Sequence, residues 1–214
     1  MNTRAAIAAA LQAGVDWIEF DVRRTKDGHV VLSHDANTMR VSVIPRNIGR
    51  TKYAKLAKAK MWRGQPIATL TEAFKAIGGK AKINIEIKSK GCAEVVVDHI
   101  ERMVKAGANY DRFLVASFKP ERLREIHRLN DHIPLALLHG TKPLTFLKLR
   151  ALRLSAVGFW RYRMPKKAIE QAKVRGLATY VYTVNSKRDA ERFAARGVDR
   201  VVTDRPDKLQ ELRD

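Results

Sequence analysis

Short β-branched runs alternate with amphipathic stretches along most of the chain. The runs cover residues 17–22, 83–87, 113–116, 134–138, 156–159, 179–184 and 200–203, and each is short enough for a strand buried on both faces. Between them lie helical patterns with readable ends. Thr69-Leu70-Thr71-Glu72 has the form of a capping box, and Gly78-Gly79 closes that helix after Ile77. Pro120, Pro165 and Pro206 stand where first helical turns begin, and Gly107, Gly176 and Gly197 follow helical stretches. Strand–helix alternation of this kind predicts a parallel sheet.

One pair departs from the alternation. Thr25-Lys26-Asp27-Gly28 is a tight-turn signal, and residues 30–34 continue directly as a second apolar run, so a hairpin is attached to the first strand. The region from 35 to 66 is irregular, with one short helix expected near 53–60. The residues before 17 read as an amphipathic helix capped by Asn2 or Thr3, because Asp16 and Glu19 arrive too early for a signal peptide. Seven parallel strands remain, one fewer than a (β/α)8 barrel needs.

Composition adds charge to this picture. The 214 residues carry 42 Lys and Arg against 22 Asp and Glu, a net charge of +20 with pI ≈ 10.4, spread along the whole chain. Such a field attracts phosphate esters, anionic membrane surfaces and nucleic acid, and does not choose among them. No nucleic-acid-binding signature accompanies it, so no specific nucleic-acid partner is expected. The single cysteine, Cys92, excludes an intrachain disulfide and a cysteine metal cluster. No apolar run has the length of a membrane span, and a soluble, cytoplasmic chain forming one domain over residues 1–214 is expected, with an insertion over about 29–66.

Strand periodicity puts Glu19 and Asp21 on one face, and Glu86 and Lys88 on one face, all near the carboxyl ends of their strands. Active sites of parallel barrels assemble at that end. Three acidic groups there repel one another without a counter-ion, and oxygen-only ligands favour Mg²⁺ or Ca²⁺. Lys88 and Arg40 are placed to neutralise a bound phosphate. The remaining imidazoles, His29, His99, His127 and His132, read as solvated turn or helix residues, and the methionines as core fillers. Phe118 and Trp160 stand at strand ends, where pocket lining and core packing are both open.

Residues 17–28 (Trp17 through Gly28, with Glu19, Asp21 and Asp27) and 30–35 (with His34 and Asp35) resemble the core motif of the glycerophosphodiester phosphodiesterase family. Asn84-Ile85-Glu86-Ile87-Lys88 is similar to its second motif, and residues 182–185 and 197–206 to its closing ones. The resemblance runs from the first helix to the C-terminus. It implies a TIM-type α/β barrel, with Glu19, Asp21 and Glu86 as ligands of one divalent cation, Mg²⁺ or Ca²⁺. It also implies His34 as an acid–base residue and Lys88 near the phosphate. The implied reaction is hydrolysis of a glycerophosphodiester to glycerol 3-phosphate and an alcohol. Two departures stand out. The family's other histidine belongs to a His-Arg-Gly strand that would fall before Met1, so the barrel is expected to lack its first strand. Tyr182 occupies a position where the family usually has tryptophan, in the alcohol pocket. His139, at the end of a strand, is the candidate to stand in for the absent base. The alternatives are a relative with impaired turnover that still binds cation and phosphate, and a lysophospholipase D-type enzyme at an anionic membrane. The open barrel edge is expected to favour self-association.

Overall fold

The computed structural model describes residues 2–212 except 41, 43, 60–63, 140–151 and 165–166. Pro165 lies outside the described residues. One eight-stranded sheet organises the chain in the order β2-β1-β3-β4-β5-β6-β7-β8. Its strands are β1 (Trp17–Arg24), β2 (Val30–Leu32), β3 (Lys82–Ile87), β4 (Phe113–Ser117), β5 (Leu135–His139), β6 (Ala156–Trp160), β7 (Ala178–Tyr182) and β8 (Arg200–Val202). All neighbouring pairs are parallel except β1 and β2, which pair antiparallel across the turn at Gly28. The seven parallel strands and the attached hairpin therefore match the sequence expectation. Gly28 adopts a φ of 92°, which a side chain would strain.

Helices α1 (Arg4–Gln12), α2 (Tyr53–Ala57), α3 (Leu70–Ile77), α4 (Ala93–Lys105), α5 (Pro120–Leu129), α6 (Ala168–Lys173) and α7 (Lys187–Ala195) cover the outside. Their ends follow local chemistry. Thr69 and Glu72 form the reciprocal capping box, and Pro120 opens α5. Thr3 rather than Asn2 caps α1, its Oγ1 accepting the Ala6 N–H at 3.1 Å. Pro206 opens a 3-10 turn, Pro206–Lys208, in place of an α-helix.

Side chains alternate between two cores. Ile18, Phe20 and Val22 on β1, with Ile83, Ile85 and Ile87 on β3, pack outward against the helices. Leu114, Ala116, Ala136, Leu138, Ala156 and Tyr180 face the lumen. Small residues admit the large ones: a Cβ on Gly158 would lie 2.6 Å from the Tyr180 ring and 2.7 Å from Leu138 Cδ2.

The sheet curls without closing. Among the described residues β1 and β8 are not paired, yet the Arg200 guanidinium of β8 lies 4.5 Å over the Trp17 ring of β1. This is the expected barrel with one strand's place left open. Among the described residues no helix is long and apolar enough to cross a membrane.

Candidate active site

Period-two alternation on β1 and β3 sends Glu19, Asp21, Glu86 and Lys88 into the lumen at the carboxyl ends of the strands, while the register sets Asp21 directly beside Glu86. Ligand oxygens of Glu19, Asp21 and Glu86 all lie within 4.8 Å of one another. Lys88 is the resident counter-charge, with Nζ 2.8 Å from Glu86 Oε1 and 3.2 Å from Asp21 Oδ1.

The electrostatics are those of crowded carboxylates. Burial, then repulsion from Asp21 and Glu86, pushes the Glu19 carboxyl well above the usual range. Burial, against the pull of Lys88, raises Glu86 to about 7. Lys88 itself is held protonated: desolvation lowers its pKa, but Glu86 and Asp21 more than offset this and raise it. Three converging carboxylates whose mutual repulsion one ammonium does not cancel fit a hard divalent cation with oxygen ligands.

A cleft of about 980 Å³ runs from this cluster through the gap between β1 and β8. His34, Lys88, Phe118 and Tyr182 line it together with the three carboxylates. His34 follows β2, which the hairpin folds back beside β1. Its Nδ1 lies 2.9 Å from Asp35 Oδ1, and that contact holds the Asp35 carboxyl below its ordinary range. The Tyr182 hydroxyl donates to the His139 carbonyl at 3.0 Å, and burial pushes it above the usual phenol range.

Several expectations need correction. Arg40 does not reach the carboxylates: its side chain is 77% exposed and pairs with Asp35 at 3.5 Å, outside the cleft. His139 does not stand in for a base. Leu138 takes the lumen-facing position, so alternation turns His139 outward, where its buried ring meets Phe159 at 5.7 Å. For Trp160, where pocket lining and core packing were both open, the structure gives neither: it is exposed at the end of β6 and does not line the cleft. His99 is not solvated but bridges two helices, its Nδ1 contacting the Val95 carbonyl and its Nε2 Thr71 Oγ1, both at 2.8 Å. Met39 is exposed rather than core.

One site residue was missed as such. Asn2, read as a cap, instead contacts Asp21 through both halves of its amide. Its φ of 57°, a conformation asparagine tolerates, turns the side chain away from α1.

An open α/β barrel with a carboxylate cluster and a histidine at the carboxyl ends of its strands is the architecture of a barrel enzyme. Comparison with known proteins gives the family. The glycerophosphoryl diester phosphodiesterase family matches residues 1–208, and the chain belongs to it. A glycerophosphodiester phosphodiesterase of Caldanaerobacter subterraneus subsp. tengcongensis is 33% identical, over 99% of this chain and 91% of its own. A lysophospholipase D of Rattus norvegicus is 26% identical over 99% of this chain and 81% of its own. An Oleispira antarctica phosphodiesterase solved in complex with the product sn-glycerol-3-phosphate superposes with a TM-score of 0.86 at 25% identity, covering 98% of this chain and 90% of that one.

Proposed function

We propose that the chain hydrolyses glycerophosphodiesters to glycerol 3-phosphate and an alcohol, with Glu19, Asp21 and Glu86 holding one Mg²⁺ or Ca²⁺ ion. The observation that carries this reading is the convergence of three carboxylates in the cleft of a chain from this family. The bound cation would polarise the phosphoryl oxygens and stabilise the charge that develops on them. The chain's own groups do the rest. Lys88 adds a fixed positive charge beside the cluster for the phosphate. Asp35 engages His34 at Nδ1, which leaves Nε2 as the nitrogen that moves the proton. One P–O ester bond breaks, the departing alcohol oxygen takes a proton, and water supplies the oxygen and hydrogen that complete the two products. Phe118 and Tyr182, in edge-to-face contact at 6.1 Å, form an aromatic wall for the alcohol.

A lysophospholipid is a related substrate, and the relative named lysophospholipase D supports its inclusion. A second reading, cation and phosphate binding with impaired turnover, is favoured by one observation: among the described residues His34 is the only imidazole lining the cleft. Release of glycerol 3-phosphate from glycerophosphocholine, followed with Mg²⁺, with Ca²⁺ and with chelator, separates the two. Metal-dependent release, reduced by roughly 10²–10⁴ in His34→Ala, is the expected result. Metal binding without release selects the second reading.

A further inference from the structure

Seven large apolar side chains stand exposed among the described residues, and five of them belong to the end of the barrel that carries the site. Phe118 follows β4, Trp160 and Tyr162 end β6, and Met39 and Ile44 sit on the loop that follows His34. The other two, Leu129 and Val174, lie singly at the carboxyl ends of α5 and α6, which in a β/α unit fall at the opposite face. The rim residues are organised. Trp160 and Tyr162 meet edge to face with ring centroids 5.2 Å apart, and the Arg161 guanidinium stacks 4.3 Å over Tyr162. Tyr162 is nevertheless 66% exposed, and neither Trp160 nor Tyr162 lines the cleft, so this ridge is not a substrate pocket.

Exposed cations are interleaved with these rings. Arg163 follows Tyr162, Lys119 follows Phe118, and Arg40 follows Met39. Amphipathic aromatics beside Lys and Arg are the composition that settles at the headgroup level of a bilayer. Each basic residue near an anionic surface adds to the attraction, which the net charge of +20 reinforces at longer range.

We propose that this rim docks on an anionic phospholipid bilayer, with Trp160 and Tyr162 at headgroup depth and Lys119 and Arg163 against the acidic headgroups. The face borders the cleft mouth at Phe118, so docking presents the site to diesters leaving or still held by the lipid phase. That last consequence rests on the hydrolase reading above; the docking does not.

The test is flotation of the purified chain with vesicles of equimolar phosphatidylglycerol and phosphatidylcholine, and with phosphatidylcholine alone, at physiological salt. The chain should float with the mixed vesicles and not with the neutral ones. Trp160→Ser/Tyr162→Ser and, separately, Arg163→Glu should each weaken partition about tenfold at unchanged melting temperature. Tyr162→Ser should still hydrolyse soluble glycerophosphocholine at the parental rate. Absence of flotation, or flotation of the aromatic double variant equal to the parent, overturns the docking face, the latter because charge alone would then suffice. Partition needs no turnover, so a chain that floats but releases no glycerol 3-phosphate sinks the hydrolase reading and leaves the docking face standing.

Discussion

Asn2 grips Asp21 by both halves of its amide: Nδ2 donates to Asp21 Oδ2 at 2.8 Å, and Oδ1 accepts the Asp21 N–H at 2.9 Å. That N–H lies on the edge of β1 facing away from β3, where a neighbouring strand would otherwise have supplied the acceptor. The side chain thus satisfies an edge donor and fixes the rotamer of a metal-competent carboxylate at once. Asn2→Ala removes both contacts and leaves the three carboxylates in place. Divalent affinity should fall about 10- to 100-fold, the usual cost of losing a partner that orients a ligand. Calorimetric titration with Mg²⁺ or Ca²⁺ reads this directly, and an unchanged dissociation constant would show that Asp21 needs no support.

Lys88 stands between Asp21 and Glu86 with its side chain only 14% exposed. Lys88→Met keeps most of the volume and deletes the charge, leaving the carboxylates without a counter-ion. Without metal, unfolding stability should drop by about 3 kcal/mol, as when one partner of a buried pair is removed. Saturating divalent cation should restore most of it, because a ligand bound only by the folded chain stabilises by mass action. Denaturant unfolding with and without Ca²⁺ decides the matter; equal losses in both conditions would mean that Lys88 acts through packing.

Much of this was legible in the chain. The strands at 83–87 and 113–116 were readable because parallel strands buried on both faces are nearly continuous apolar runs with few rivals. Glu19, Asp21, Glu86 and Lys88 were readable for the opposite reason: each is a charged residue interrupting such a run, at a parity that shares one face. The parity of β5 also held the answer for His139, since a lumen-facing Leu138 forces its neighbour outward; taking the strand end alone as the signal misplaced it. Arg40 and Asn2 were beyond local rules. Both lie outside regular elements, and their partners, Asp35 for one and Asp21 across nineteen residues for the other, are fixed by tertiary placement.

Gly158 makes room for Tyr180. A Cβ there would meet both the buried phenol ring and Leu138 within 2.7 Å, so both side chains would have to shift. Gly158→Ala should therefore destabilise by about 1–3 kcal/mol despite the higher strand propensity of alanine, because overpacking dominates. Urea unfolding measures the loss. A neutral or stabilising substitution would show that the lumen is looser than these contacts require.

Asp27 ties the hairpin to the insertion. Its Oδ1 accepts from Thr25 Oγ1 at 2.7 Å and from the Tyr53 N–H at the start of α2 at 2.9 Å. The Thr25 bond, then the Tyr53 bond, against some desolvation, lowers its pKa to about 2. A depressed folded value means that the contribution is present above the unfolded pKa near 4 and is lost as pH falls through about 2. The melting temperature of Asp27→Ala should lie below that of the parent at neutral pH, and the gap should close between pH 4 and about 2. A gap independent of pH would assign the effect to the hydroxyl and amide geometry alone.

The gap between β1 and β8 shapes the behaviour of the whole molecule. The first part of β1, which β2 does not cover, and the free edge of β8 invite pairing with another chain, and a three-residue β8 of half-exposed Arg200, Val201 and Val202 does little to blunt its own edge. Charge works in the same direction. Among the described residues eight acidic side chains line the cleft against two of Lys and Arg, so an acidic groove opens in a chain of net charge +20. The basic exterior of a second copy is complementary to it, and such a contact is heterologous and need not close into a ring. Self-association is therefore expected to have a salt-sensitive part from the groove and a salt-insensitive part from the strand edges. Sedimentation velocity across a concentration series should show species larger than the monomer at low salt and fewer at high salt. Val201→Lys adds a charged side chain to β8, and should reduce the salt-insensitive remainder. A parent chain that stays monomeric at every concentration and salt would show that Asn2 and the Arg200–Trp17 contact protect the open edges by themselves.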